Sequence, residues 1–204
     1  MDKRPYHSPL RQEQAQATRQ RILDAALELF GAQGYGATSI AALAREAGVV
    51  PETIYATFGS KRGIVDGLIE RAVPRQVLAD LDAAWNANAG DPAAQLAVVA
   101  AFSTAFWGRN DDLAAVFRQG TGDADISDEW SKRQADRRAY FAHLLSSWPE
   151  AVFRPGLDRD HAVDIMWALA TDEVFHLFVR ERGWSPSAYE QWLLAVLRHE
   201  ILAT

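Results

Sequence analysis

No cysteine occurs in the 204 residues. That excludes disulfide frameworks, thiolate nucleophiles and cysteine-based metal sites, and it fits a reducing compartment. The five histidines (His7, His143, His161, His176, His199) form no H-x-x-x-H pair or other ligand spacing, so neither a metal nor a cofactor is expected. Long apolar runs are also missing. The most apolar stretch, residues 93–107, is interrupted by Gln95, Ser103 and Thr104 and is too short to span a bilayer. The first ten residues are polar with two prolines and lack the apolar core of a signal peptide. A soluble cytoplasmic protein with no membrane partner is expected. Repeats, low-complexity tracts and the two-residue alternation of half-buried strands are absent as well.

What remains is ordinary globular material, 49% hydrophobic and 24% charged, long enough for one domain or two small ones. The net charge of −6 is unevenly spread. Residues 1–75 carry ten Lys/Arg against eight Asp/Glu, so the acidity belongs to the remainder. Within residues 1–21 the balance is five basic to two acidic, a modest pointer to an N-terminal face for a polyanion.

The periodicity is helical throughout and predicts an all-α fold. Ser8 caps a first helix with Pro9 at its first position, and Ile22, Leu23, Ala26, Leu27 and Phe30 form its apolar stripe before Gly34 and Gly36. Thr38 caps a short helix that buries Ile40, Leu43, Ala44 and Ala47 and ends at Gly48. A second short helix starts at Pro51 and buries Ile54 and Phe58. Ser60 caps the next, which runs to Val73-Pro74 and contains Gly63 and Gly67. Each interior glycine weakens a helix by about 1 kcal/mol relative to alanine, so this connecting segment is expected to bend. Longer helices follow over roughly 75–88, 92–108, 110–119, 126–147, 159–181 and 187–203, separated by capping or breaking residues. All seven tryptophans lie beyond residue 80. The expected organisation is an arm and small helical domain over 1–59, a connecting helix over 60–74 and a larger helical domain over 75–204.

Thr38 to Phe58 carries the signature of a helix-turn-helix. A small residue, Ala44, sits where two helices would cross. Gly48, four residues on, tolerates a positive-φ turn, and Ile54, six further, locks the second helix to the first. An αα-corner in any helical protein would share this spacing. The surrounding residues go further. Gly34-Tyr35, Thr38-Ser39-Ile40, Ala47-Gly48-Val49, Thr53-Ile54-Tyr55, Phe58 and Ser60-Lys61 resemble the DNA-binding domain of the TetR family of bacterial repressors, over roughly residues 18–70. The resemblance implies a three-helix DNA-binding domain followed by a helical bundle for ligand binding and dimerisation. The implied partners are double-stranded DNA carrying an inverted repeat, a small-molecule effector and a second copy of the chain.

Carried across residue by residue, the resemblance makes Thr38 a cap and phosphate donor, with Ser39 and Arg19 also at the DNA. Val50, Pro51, Glu52, Thr53 and Ala56 would face the major groove, and Tyr55 and Lys61 would hold phosphates. Three positions depart from the pattern. Val50 replaces a capping Ser or Thr, a loss on the order of 1 kcal/mol. Glu52 stands where a small residue is common, and Ala56 offers only methyl contact. Direct readout therefore looks sparse, and affinity is expected to lean on phosphates and on Arg11 or Arg19 near the minor groove.

In the larger part, Phe102, Phe106, Trp107, Phe117, Trp130, Tyr140, His143, Trp167, Thr171 and Phe175 are candidates to line an effector pocket, an idea favoured by the surplus of indole N–H groups needing partners. Packing in the core is the alternative for each. The predicted helix over 159–181 is apolar around much of its circumference and must be covered on every side. The last helix covers one side; a second copy of the pair would cover the rest in a two-fold interface, with Val163, Trp167, Val174, Phe178, Trp192 and Val196 as candidate contacts. No nucleophile–base–orienter set, phosphate loop or Glu-x-x-His pair is present, so no enzyme is expected. The alternatives to a ligand-released repressor are an activator of the same fold or a helical protein-binding adaptor.

Overall fold

The computed structural model describes residues 9–120 and 122–203, the side chains from Arg11 onward. The expected Ser8 cap lies outside the described residues. Eleven α-helices run through them: α1 (Pro9–Gln33), α2 (Ile40–Glu46), α3 (Pro51–Phe58), α4 (Lys61–Ala72), α5 (Arg75–Ala87), α6 (Pro92–Arg109), α7 (Asp111–Gln119), α8 (Ala124–Leu145), α9 (Arg159–Leu169), α10 (Asp172–Phe175) and α11 (Pro186–Ile201). Extended pairing among the described residues is confined to an isolated antiparallel bridge, Phe153 to Leu202. No helix among them is long and apolar enough to cross a membrane.

Caps explain most of the boundaries. Asp91 accepts from the Ala94 amide at the start of α6, Asp158 from His161 at α9 and Ser185 from Ala188 at α11, each satisfying an otherwise orphaned donor. Proline at the first turn of α6 and α11 removes another.

The chain divides into two compact units. The first holds the residues up to Ala72 together with Ala115–Ser127; the second holds Val73–Ala114 and Asp128–Thr204. In the first, α1 packs on α2 and α4, and α3 on α2 and α4. Its core is Ile22, Leu23, Ala26, Phe30, Leu43, Ile54, Ile64 and Leu68, all 0–1% exposed. The α4 helix, expected as a connector, is thus bound into this unit by its own buried face. The Tyr35 hydroxyl donates to Asp125 at 3.2 Å, and Arg62 pairs with Asp125 at 3.7 Å. Burial, reinforced by Asp125, raises the Tyr35 phenol above its ordinary range.

In the second unit α11 packs against α6 and α9, and α5 against α6. A buried cluster of Trp85, Leu96, Val99, Phe141, Leu145, Trp148, Met166, Phe175, Tyr189 and Leu197 fills its centre. Gln95 is buried there with both ends used: its amide donates to the Trp85 carbonyl at 3.2 Å and its oxygen accepts from the Trp148 indole at 2.6 Å. Those two indoles stack 5.7 Å apart.

The helix predicted over 159–181 is broken. It stops at Leu169, restarts as α10 after an extended Thr171, and finishes as a π-helical turn over His176–Glu181. The break frees carbonyls that the core must satisfy. Arg137 donates to Ala170 O at 2.7 Å and Trp167 O at 2.9 Å. The Trp107 indole reaches Ala170 O at 3.2 Å, and the Tyr189 hydroxyl donates to Leu169 O at 3.4 Å. Burial pushes the Arg137 guanidinium down to about 10, opposed by Glu173 and Asp172.

Candidate nucleic-acid interface

The turn between α2 and α3 shows why the sequence folds as it does here. Gly48 takes φ +64°, the left-handed conformation that glycine adopts without a side-chain clash. Ala44, 2% exposed, and fully buried Ile54 close the crossing. The Val49 amide donates to Ala44 O at 2.9 Å, so the second helix leaves the first in a fixed direction. Pro51 opens α3, and the Val50 cap position makes no side-chain hydrogen bond. Gly59, at φ +74°, closes the helix with its amide on Tyr55 O.

The outer side of α3 is left bare. Val50 is 59% and Tyr55 54% exposed; Glu52 and Ala56 are exposed, and Pro51 and Thr53 half-buried.

Three residues expected at DNA are occupied inside the unit. Thr38 is 2% exposed, and its hydroxyl donates to Gly34 O at 2.8 Å and Leu29 O at 3.3 Å. It ties off the end of α1; the cap of α2 is the exposed Ser39, whose oxygen accepts from the Ala42 amide at 3.1 Å. Lys61 donates to Tyr35 O at 2.8 Å and Thr38 O at 3.2 Å, with its ammonium 4.1 Å from the Tyr35 ring centre. Arg19 pairs with Glu70 at 2.8 Å and lies over Phe58 at 4.6 Å. Within the unit the Thr38 hydroxyl and the Lys61 ammonium are thus bonded to carbonyls and the Arg19 guanidinium to a carboxylate. Arg11 is exposed on α1.

Gly63 and Gly67, expected to let α4 bend, also have a packing role. A Cβ at Gly63 would sit 1.9 Å from Phe58 O, and one at Gly67 would sit 2.8 Å from the Phe58 ring, 3.1 Å from Arg19 and 3.2 Å from Leu23. These glycines exist to let α4 pass close under Phe58. Ser60 does cap α4, accepting from the Gly63 amide at 3.0 Å.

Of the expected pocket residues, Phe117 is buried in the first unit and the others are in the second. His143 is exposed, 6.4 Å from Tyr140, and the Tyr140 hydroxyl is spent on Asp82. Trp130 is half-buried. The indole argument has a local answer: Trp107, Trp148 and Trp167 donate to Ala170 O, Gln95 and Gln134 O. Within the second unit, Trp107 of α6 reaches the helix break at Ala170, beside Trp167, Thr171 and Phe175, and Phe106 and Phe102 follow it along α6. Phe102 stacks on Phe106 at 5.8 Å, Phe106 meets Trp107 edge-on at 4.8 Å, and α6 packs on α10. The Thr171 hydroxyl is bonded to Glu173. Arg137 belongs to this cluster and carried no sequence signal beyond being a cation in a helix with a partly apolar face.

Of the expected dimer contacts, Val163 is 1% exposed within its own protomer and has no surface to offer a partner. Trp167, Val174, Phe178, Trp192 and Val196 are half-buried. Beside them Leu177 is 51% and Trp184 38% exposed, and Phe178 packs 4.4 Å from Trp192 and 4.6 Å from Trp184.

A sequence profile described as bacterial regulatory proteins, tetR family, matches residues 22–68, which runs from the middle of α1 to most of α4. Residues 22–68 thus match the DNA-binding domain of tetR-family regulators. The transcriptional regulator UidR of Escherichia coli is 38% identical over 68 residues, 31% of this chain and 35% of UidR. The chain thus spans about a third of the length of the curated relatives it matches first. Among solved structures, NalD of Pseudomonas aeruginosa, a secondary repressor of the MexAB-OprM multidrug efflux pump, is 18% identical with a TM-score of 0.77. That match covers 92% of this chain and 98% of NalD. The fatty acid degradation regulator FadR of Bacillus halodurans is 19% identical with a TM-score of 0.71, covering 88% and 93%. At these identities the structures establish the fold alone, over about nine-tenths of the chain.

Proposed function

We propose that this protein is a sequence-specific DNA-binding transcriptional regulator, a repressor that acts in the cytoplasm, binds a near-palindromic operator as a homodimer and is released by a small-molecule effector. The observation that carries the reading is α3: eight residues fixed at both ends and through Ile54, with Val50, Glu52, Tyr55 and Ala56 turned outward. A helix so held and so bare suits insertion into a major groove. Val50 and Ala56 can offer methyl contact to thymine, Glu52 can accept from cytosine N4, and the Tyr55 hydroxyl can reach a phosphate. The named function of UidR and the NalD fold support the same reading.

The homodimer rests on the apolar patch around Leu177, Trp184 and Trp192, which a two-fold partner would cover. The effector reading rests on the aromatic cluster at the break between α9 and α10, where a guest could compete for groups now satisfied within the protein. Retention of fragmented bacterial genomic DNA on the purified protein, followed by sequencing, tests the conclusion. Enrichment of one inverted repeat is the expected result, and retention of nothing at both low and moderate salt would overturn it in favour of a protein-binding adaptor. In sedimentation the protein should run as a dimer, and L177E/W184E as a monomer.

A further inference from the structure

A groove of about 640 Å³ runs between the first turns of α1 and the side of α3. Gln12, Gln14 and Gln16 line it from α1, opposite Thr53, Ala56 and Thr57 of α3. Gln12, Gln16 and Arg19 are spaced by four and three residues and share one helix face, as do Thr53, Ala56 and Thr57. The α1 residues that line it all precede Ile22, where the family profile begins to match.

The lining has a particular chemistry. Among the described residues that line it there is no carboxylate and one cation, Arg19, which is engaged by Glu70 and Phe58. Thr57 donates its hydroxyl to Thr53 O at 2.7 Å and can only accept from a guest. The donors offered to the groove are therefore neutral: three glutamine amides, with the hydroxyls of Thr18 and Thr53 beside them. A phosphodiester is a pure acceptor and matches a wall of donors. Its position also matches. If α3 enters the major groove, the strand bordering that groove must pass alongside α3, and on this side the passage is the groove against α1.

We propose that the groove between α1 and α3 seats one strand of the DNA backbone, gripped by the neutral amides of Gln12, Gln14 and Gln16. This rests on the DNA-binding reading above and adds a contact that reading does not contain. Because the donors are uncharged, the grip strengthens binding without the counterion release that makes cationic contacts salt-dependent. Because it holds the backbone, it acts alike on every sequence.

The test compares the wild type with Q12A/Q16A in the full chain. Two probes are used across 50 to 300 mM salt: a duplex selected from a random library by the wild type, and an unselected 30-base-pair duplex. Both positions are exposed and alanine favours a helix, so thermal unfolding should match the wild type. Loss of two hydrogen bonds to charged acceptors should weaken binding by about tenfold or more. The loss should be equal on both duplexes, with the slope of log K against log salt unchanged. A second variant, Q12E/Q16E, should lose far more, and increasingly so as salt is lowered. Unaltered affinity in Q12A/Q16A overturns the proposal. A loss confined to the selected duplex, with a new base preference, also overturns it and makes the glutamines base readers. If the wild type binds neither duplex at any salt, the DNA-binding reading has failed and takes this contact with it. Wild-type binding with unaffected variants sinks the groove alone.

Discussion

Replacing Gly63 and Gly67 by alanine separates two opposite views of α4. If the glycines made the helix easy to bend, each replacement would stabilise it by about 1 kcal/mol through helix propensity. The packing predicts the reverse, and unequally. At Gly67 the added Cβ meets the Phe58 ring at 2.8 Å, the Arg19 guanidinium at 3.1 Å and Leu23 at 3.2 Å. All three are side chains that can give way. Overpacking of this kind costs about 1–3 kcal/mol; set against the propensity gain, G67A should be destabilised by about 0–2 kcal/mol. At Gly63 the clash is 1.9 Å from the Phe58 carbonyl oxygen, and backbone cannot rotate aside. The end of α3 would have to shift, so G63A should lose about 3 kcal/mol or more. The assay follows from where the tryptophans are. All seven belong to the second unit, so their fluorescence reports that unit and far-UV circular dichroism reports both. In urea, G63A should lose helix signal at a lower concentration than the wild type while the fluorescence transition stays in place. Equal or raised stability in both variants would refute the close-packing argument and restore the hinge.

Lys61→Met strips two carbonyls of a charged donor and the Tyr35 ring of its cation; it should destabilise the first unit by about 1–3 kcal/mol in the same urea experiment. Val50→Thr supplies the side-chain acceptor α3 lacks and should raise the stability of that unit by about 1 kcal/mol. Arg137→Met leaves Ala170 O and Trp167 O without their nearest donor; a loss of about 2 kcal/mol or more is expected, this time in the fluorescence transition. Burial raises the phenols of Tyr35, Tyr140 and Tyr189. A raised folded-state value gives stability that is whole below the ordinary tyrosine range, near 10, and is lost as pH climbs past it. Absorbance at 295 nm should therefore show these three ionising only as the helix signal collapses.

The motif was legible because its determinants are local. Ala44, Gly48 and Ile54 act through their neighbours in sequence, and their spacing survives translation into structure. The partners of Lys61 and Arg19 within the protein were not legible, since Tyr35 O and Glu70 lie 26 and 51 residues away along the chain. A hydroxyl or a cation read in sequence shows what it can bond, and only the fold shows what reaches it first. The break at Ala170–Thr171 illustrates the same limit from the other side. The run from Val163 to Val179 is periodic enough to predict one helix, and Thr171 alone is a weak argument against it. What tips the balance is Arg137 on α8, with Trp107 and Tyr189, offering donors to carbonyls that a continuous helix would have used itself. An apolar helix interrupted at a cluster of buried donors keeps its core contacts on both sides of the interruption. It also leaves a polar seam inside an aromatic core.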